Sequence, residues 1–264
     1  MTIYDKTTFI EKGAFYGCSG FDGSLTLPNN LSYIDEESFY QCSGFKGSLI
    51  LHDSLTSIKK NAFSGCSGFD GTLTLSTNLE NIGEEAFYQC SGFTGSLTIY
   101  DVVETIEKGA FSGCSKLNDE LALSQSLITI GEKAFYQCSS LTGSLEIPDF
   151  VTTIGKSAFS GCSGFDGTLT LSINLTYIEE ETFYQCNGFT GSLIIFENIT
   201  SIRKGAFGKC SGFNGELSLS KNLIYIDSGA FYQCSGFINS LTIPDGVKII
   251  AEYSFSGCSG LNGT

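Results

Sequence analysis

Eleven cysteines are the residues of this sequence best suited to chemistry, and they stand 24 residues apart from Cys18 to Cys258. Thiols can form disulfides, bind a metal ion or act as nucleophiles. Stacked repeats would place successive Cβ atoms about 4.8 Å apart, beyond the roughly 3.5–4.5 Å usual for a disulfide. No C-x-x-C pair is present to hold zinc. We therefore expect free thiols that pack in the core as small hydrophobic groups.

Other residues that could support catalysis are few. The chain has a single histidine, His52, so neither a histidine-based triad nor a histidine-rich metal site is expected. Acidic residues such as Glu120 and Glu146 have no partner of a different chemical type to complete a site. The sequence therefore predicts a protein that is not an enzyme and that needs no cofactor or metal ion.

Charge and hydropathy exclude further classes. The chain has 14 basic and 28 acidic residues, a net charge of −14, which disfavours nucleic acid and anionic membranes as partners. No run of 18 apolar residues could span a membrane, so direct membrane insertion is not expected. The segment 1–13 has the repeat pattern, so we expect no signal peptide within it. With 41% hydrophobic residues, the chain can bury a substantial core.

The cysteine spacing reflects a repeat that fills the whole chain. The 264 residues equal eleven times 24, and a period in this range is typical of a stacked solenoid. We therefore predict a single domain, residues 1–264, of eleven 24-residue repeats with no capping module. Each repeat is called a rung below.

Seven columns of the aligned repeats are almost uniformly apolar and are expected to face inward. One rung alone cannot bury them, whereas stacking turns each column into a continuous apolar ladder. In the second rung these columns are represented by Leu25, Leu27, Leu31, Ile34, Phe39, Cys42 and Phe45.

Local patterns assign structure within the rung. Residues 24–27 alternate outward and inward, which predicts a strand, and stacking of such strands predicts a parallel sheet along one face. Residues 31–34 form a second extended piece, and 36–40 suit a single helical or 3₁₀ turn. Gly44 and Gly47 supply the bend to the next rung. The fold class is a repeat solenoid, mainly β, with short helical or 3₁₀ turns.

The repeats fit the pattern L-x-L/I-P-x-x-L/V-x-x-I-x-x-x-A-F-x-x-C, with matching units from Leu25 to Cys42 and from Leu145 to Cys162. This pattern resembles the BspA-like, or Treponema pallidum type, leucine-rich repeat. The linker Cys90–Ser96 resembles a variant found in surface antigens of parasitic protists and some bacteria. The resemblance implies a leucine-rich repeat array, a cell-surface or extracellular location and a role in adhesion to proteins or cells, with no catalytic motif.

A second period of 48 residues distinguishes alternate rungs. Duplication of a two-rung block explains its origin, and one column suggests a physical use for it. Lysine and glutamate alternate there, which would avoid like-charge stacking and could fix the register of neighbouring rungs; a simple solvated face is the alternative reading. This charge ladder comprises Lys12, Glu36, Lys60, Glu84, Lys108, Glu132, Lys156, Glu180 and Lys204.

Two surfaces could bind a partner. The outward strand positions form a hydroxyl face, which could bind protein or glycan, carry O-linked glycans, resemble an ice-binding face, or serve only β-propensity and solubility. Its candidate residues are Ser24, Thr26, Thr72, Thr74, Ser96, Thr98, Thr168 and Thr170. A tyrosine stripe recurs every second rung, suited to an interface or to partial burial against the neighbouring turn. It comprises Tyr40, Tyr88, Tyr136, Tyr184 and Tyr232.

Four N-x-S/T sequons are possible N-glycosylation sites if the chain is secreted, although chance alone would give about as many. They begin at Asn30, Asn174, Asn198 and Asn262.

Two functions follow as hypotheses. The first is a non-catalytic extracellular scaffold for adhesion or protein–protein interaction at a cell surface, with a protein or glycan ligand. The second is a structural protein whose uncapped end rungs join copies of itself into an extracellular fibre.

Overall fold

The computed structural model describes residues 1–262 and shows a parallel β-solenoid in which each 24-residue repeat forms one rung. The predicted repeat solenoid is confirmed. Strand partners are related by 24 residues, as in the pairing of Ile34 with Ile58, so every column of the sequence alignment becomes a ladder in space.

The regular structure consists of nineteen two-residue strands within the described residues. They are β1 (Phe9–Ile10), β2 (Tyr33–Ile34), β3 (Leu49–Ile50), β4 (Ser57–Ile58), β5 (Leu73–Thr74), β6 (Asn81–Ile82), β7 (Leu97–Thr98), β8 (Thr105–Ile106), β9 (Leu121–Ala122), β10 (Thr129–Ile130), β11 (Leu145–Glu146), β12 (Thr153–Ile154), β13 (Leu169–Thr170), β14 (Tyr177–Ile178), β15 (Leu193–Ile194), β16 (Ser201–Ile202), β17 (Leu217–Ser218), β18 (Tyr225–Ile226) and β19 (Ile249–Ile250).

The strands form two ladders on each rung. The isoleucine ladder contains the strands that end in the Ile34 column, and it forms a seven-stranded sheet from β1 to β12 and a four-stranded sheet from β14 to β19. The leucine ladder contains the strands that begin in the Leu49 column. In both ladders one residue of each strand is buried and the other points outward, as Leu49 and Ile50 do, except in β19, where both isoleucines are exposed.

Pairing along the leucine ladder follows a period of two rungs. β3 pairs with β5 and β7 pairs with β9, whereas β5 and β7 belong to separate sheets. The linker alternates as well: φ is 78° at Gly47 and 80° at Gly95, while Gly71 between them stays outside the positive region. Two linker conformations therefore divide the predicted sheet on this face into two-stranded blocks.

The segment 36–40 forms consecutive β-turns and not the predicted helical or 3₁₀ turn. Alternate N–H groups donate to the carbonyl three residues earlier, as from Tyr40 to Glu37 at 3.1 Å. The intervening N–H groups donate to the next rung, as from Phe39 to Ala62 at 2.8 Å. A helical turn would direct all of these donors within the rung, so hydrogen bonding between rungs selects the turns.

Residues 35–42 and their equivalents form what we call the turn edge of the solenoid. Two positions of each rung have positive φ in all eleven rungs, the columns of Glu37 and Gln41, with φ of 55° at both. Glycine adopts this region freely, but other residues do so at a cost of about 1–2 kcal/mol. Glycine occupies the Gln41 column in alternate rungs, as at Gly65 with φ of 76°.

The seven columns predicted to face inward are buried in the interior rungs. Their centre is an unbroken stack of phenylalanine rings from Phe15 to Phe255, in which successive centroids are 5.0–5.6 Å apart and ring planes lie within 9°. The rings fill the core continuously, which makes each rung depend on both neighbours.

The second phenylalanine ladder is interrupted, for a reason that lies in the linker. In most rungs a glycine precedes the phenylalanine, and a Cβ on Gly92 would lie 1.9 Å from the carbonyl oxygen of Phe69. One rung has Lys116 and Leu117 in these places, and there the N–H of Leu117 donates to the carbonyl of Cys114 at 3.3 Å. The smaller leucine accompanies a different linker turn that tolerates a side chain.

Candidate functional site

The cysteine column is a ladder of free thiols, and nine of the eleven are buried. Each thiol from Cys42 to Cys258 donates to the carbonyl of a phenylalanine on the preceding rung, at 2.9–3.3 Å. Cys138, for example, donates to Phe111 at 3.1 Å. The predicted packing in the core is confirmed, and the thiol has the additional role of linking rungs.

Burial disfavours the thiolate along this ladder. Desolvation raises the pKa of Cys42 to about 11 and the pKa of Cys138 to about 12, and it raises the pKa of Cys114 well above its ordinary value. A nucleophilic or redox-active cysteine needs an accessible thiolate. These thiols therefore serve the fold.

The charge ladder forms discrete pairs and not a continuous series. Each lysine contacts the glutamate of the following rung, with Nζ–Oε2 distances of 2.7 Å for Lys12–Glu36 and 2.8 Å for Lys60–Glu84. The equivalent pairs are Lys108–Glu132 and Lys156–Glu180. Lys204 faces Ser228 in the following rung, where the alternation ends. These side chains are largely exposed, so each pair contributes little to stability.

The turn edge explains why the sequence alternates with a period of 48. A large residue in one rung covers a small residue in the next. The ring of Tyr184 lies over Gly208, where a Cβ would be 2.8 Å from Cδ2, and Gln41 packs over Gly65, where Cγ would be 3.2 Å from a Cβ. Serines between the tyrosines are buried, and Ser112 is only 2% exposed.

The tyrosine stripe is therefore both packed and accessible. Tyr88 is 37% exposed, and Tyr40, Tyr136, Tyr184 and Tyr232 are half-buried. One face of each ring packs on a small residue, while the remainder is available to a partner. The sequence suggested these two roles as alternatives, and the structure allows both.

At one end of the stripe the tyrosines line an open cleft of about 420 Å³. Tyr184 and Tyr232 are joined there by Tyr253, which is 70% exposed, and by the carboxylates of Glu181 and Glu252. Sequence reasoning missed Tyr253 because it occupies the Glu37 column and not the tyrosine column. Its φ of 58° places it on the turn edge beside the stripe.

All eight candidate residues of the hydroxyl face are exposed. Four of them, Thr72, Thr74, Ser96 and Thr98, line a groove of about 240 Å³ where β5 and β7 are not paired. The other four lie along the same face. Ser48 has a structural role, because its Oγ accepts the N–H of Thr72 at 3.0 Å.

The sequon asparagines lie in exposed loops, where their side chains connect rungs. The amide of Asn174 donates to the carbonyl of Asp149 at 2.7 Å, and Asn198 donates to Ile173 at 2.8 Å. Asn30 makes the equivalent bond to Asp5. The fourth sequon begins at Asn262, and its remaining residues, 263 and 264, lie outside the described residues.

Residues 1–262 contain no group of three or more histidine, cysteine or acidic side chains placed to hold a metal ion. The same residues contain no helix long and apolar enough to cross a membrane.

Three solved bacterial structures share this fold. A leucine rich cell surface protein from Faecalibacterium prausnitzii has 23% identity and a TM-score of 0.58 over 97% of this chain and 76% of its own. A leucine-rich repeat protein from Eubacterium ventriosum has 18% identity and a TM-score of 0.59, over 97% and 75%. One from Bacteroides ovatus has 21% identity and a TM-score of 0.56, over 96% and 80%.

No curated protein sequence matches the chain. The model of the BspA type leucine rich repeat region matches it in three overlapping segments, residues 1–118, 93–214 and 176–263, which together span nearly all of the sequence. The column pattern, the stacked rungs and this match agree. The chain belongs to the BspA type leucine-rich repeat family.

Proposed function

We propose that the protein is a non-catalytic scaffold for adhesion or protein–protein interaction at a cell surface. The observation that carries the proposal is the tyrosine stripe on the turn edge. Tyrosine combines a large apolar area with a polar group, and it is enriched at the centres of protein interfaces. Regular spacing on a rigid stack presents these rings at low entropic cost to binding.

The cleft at the end of the stripe indicates the chemistry of the partner. Tyr184, Tyr232 and Tyr253 offer ring faces, and the carboxylates of Glu181 and Glu252 outnumber Lys204, the one basic residue of the lining. Ring faces and carboxylates both attract lysine and arginine side chains. The net charge of −14 would also steer a basic partner toward the surface. We therefore expect a protein with an exposed basic segment.

Ladders of identical groups support a scaffold over an enzyme. Catalysis needs unlike groups that converge in a pocket. In this chain the lysines of the charge ladder from Lys12 to Lys156 pair with glutamates on the surface, and the thiols from Cys42 to Cys258 are hydrogen-bonded to carbonyls. A location at the cell surface is supported by family membership and by the description of the Faecalibacterium protein as a leucine rich cell surface protein.

The test measures binding of the purified chain to immobilised extracellular-matrix proteins and to intact cells. The variant Tyr136→Ser, Tyr184→Ser, Tyr232→Ser changes the stripe to the residue that alternate rungs already contain. The matched control, Tyr33→Ser, Tyr177→Ser, Tyr225→Ser, removes three tyrosines from the isoleucine ladder, where serine also occurs naturally.

We expect saturable binding that weakens at high salt and falls at least tenfold in the stripe variant only. Absence of binding across the panel would contradict the scaffold. Equal loss in the stripe variant and the control would contradict the assignment of the stripe.

A second candidate is the self-associating fibre. In the rungs at the two ends of the described residues, apolar side chains are only partly buried, among them Phe15, Phe21, Phe255 and Leu261. A second copy stacked head to tail would cover them as neighbouring rungs do inside the array. Sedimentation and electron microscopy test this, with filaments expected above micromolar concentration. A monomer at all concentrations would contradict it.

A further inference from the structure

A polar groove follows the turn edge beside the tyrosine stripe, and no function discussed above uses it. It extends over several rungs, from Ser115 to Ser259, with a volume of about 930 Å³. One wall carries the glutamine column, with Gln137, Gln185 and Gln233 at intervals of two rungs. Serines of the same rungs, replaced by Asn187 in one of them, also line the groove. A groove of this length suits a polymer better than a small molecule.

The groove is almost free of charge on a strongly acidic protein. Lys209 is the single charged residue among those that line it, and none of the 28 acidic residues does so. A polyanion would be repelled by the net charge of −14, and a polycation would find its attraction elsewhere. Amide and hydroxyl groups both donate and accept hydrogen bonds, as sugar hydroxyls do. The chemistry of the lining therefore favours a neutral, hydroxyl-rich ligand.

The glutamines are arranged for contact with a ligand. The side chains of Gln137, Gln185 and Gln233 are exposed. The residues between them in the same column are Gly161 and Lys209. The amide nitrogen of Gln137 lies 3.3 Å from the hydroxyl of Tyr136, which orients the amide. Both amide atoms retain capacity for further hydrogen bonds.

The spacing of these amides matches a repeating ligand. Ring centroids of neighbouring rungs are 5.2–5.6 Å apart along the phenylalanine stack in this region. Paired strands are about 4.8 Å apart, so groups two rungs apart are separated by about 10–11 Å. In an extended β-1,4-linked chain of pyranose sugars, the disaccharide repeat has about this length. Each disaccharide could meet the same glutamine and serine groups in turn.

We propose that this groove binds a neutral, extended β-1,4-linked polysaccharide, one disaccharide for every two rungs. The groove lies beside the tyrosine stripe and contacts it, as Gln137 does at Tyr136, and the proposal does not rest on the protein partner proposed above. Multiple weak contacts repeated along the chain would give an affinity that increases with ligand length.

Isothermal titration calorimetry with the intact protein tests the proposal. The ligands are cellohexaose and chitohexaose, with cellobiose for length, maltohexaose for linkage and polygalacturonate for charge. The variant Gln137→Gly, Gln185→Gly, Gln233→Gly introduces the residue that the same column already has in alternate rungs at positive φ. Gln125→Gly is the control, because this exposed glutamine lies outside the groove.

We expect at least one of the two β-1,4 hexasaccharides to bind, and cellobiose to bind at least tenfold more weakly. The triple variant should lose binding at least tenfold with an unchanged circular dichroism spectrum, while Gln125→Gly binds as the wild type does. Three results would overturn the proposal: no binding of either β-1,4 hexasaccharide, equal binding by the triple variant, or preference for maltohexaose or polygalacturonate. Protein binding by the stripe variants is measured separately, so failure of one proposal is distinguishable from failure of the other.

Discussion

The thiol ladder gives a direct prediction about stability. In Cys138→Ala the sulfur leaves a fully buried site, and the carbonyl of Phe111 loses the thiol that donates to it at 3.1 Å. Loss of one buried heavy atom costs about 1 kcal/mol, by analogy with Ile→Val, and loss of the S–H···O bond adds about 0.5–1 kcal/mol. The expected loss is about 2 kcal/mol, or about 4–8 °C in the thermal midpoint of a chain of this size.

Thermal unfolding followed by circular dichroism measures this loss, and Cys18→Ala is the matched control. Cys18 is only partly buried, and its sulfur lies 4.0 Å from the nearest acceptor, the carbonyl of Tyr16. We expect the control to lose less than half as much stability. Raman spectroscopy separates packing from hydrogen bonding, because bonded thiols shift the S–H stretching band to lower frequency. Equal losses in the two variants, together with an unshifted S–H band, would refute the role of the thiols in linking rungs.

Three further predictions concern the core and its titration. Gly92→Ala should lower the free energy of unfolding by about 3 kcal/mol, because the added Cβ would lie 1.9 Å from a carbonyl oxygen. Gly20→Ala is the control, because Gly20 stands in the same column and a Cβ there would have open space, so its effect should be near zero. Urea denaturation measures both. Alkylation of the native protein at pH 8 should label Cys18 and Cys258 rapidly and the other nine cysteines only on unfolding, because those nine thiols are buried. Mass spectrometry measures the labelling of each cysteine, and fast labelling of Cys138 would contradict the buried ladder. Stability should be constant with respect to titration of the buried thiols below about pH 9 and fall above it, because unfolded thiols ionise near 9.0 while burial raises the pKa of Cys42 to about 11 and of Cys210 to about 12. Each thiol whose pKa burial raises steepens the fall by about 1.4 kcal/mol per pH unit. A flat profile from pH 9 to 11 would contradict the burial.

The ladders could be predicted from the sequence because a fixed 24-residue period leaves few ways to stack apolar columns. Ile34, Phe39 and Cys42 recur without exception, and each is fully buried. The turn edge was predicted less well. Local propensity favours a helical turn around Glu37, but hydrogen bonds to the next rung select β-turns with positive φ at that position. Propensity within one rung carries no information about these bonds.

The candidate surfaces show the same limit. The tyrosine stripe was visible as a column, whereas Tyr253 entered its cleft from a different column. The groove beside the stripe depends on how Gln137 packs over Gly161, a contact between consecutive rungs. The 48-residue period was apparent in the sequence, but its steric basis, large residues over small ones, needed the stacked structure.

We propose that the tyrosine stripe on the turn edge is the surface that recognises a protein partner. The measurement that tests it most directly compares two variants by biolayer interferometry on the matrix protein or cell type that binds the wild type. One variant carries the serine substitutions in the tyrosine stripe, and the other carries Thr74→Lys, Thr98→Lys and Thr170→Lys on the hydroxyl face. We expect a dissociation constant at least tenfold higher for the stripe variant, since an interface hot spot contributes about 2 kcal/mol or more. For the hydroxyl-face variant we expect a dissociation constant within about twofold of the wild type. A larger loss in the hydroxyl-face variant would contradict the proposal.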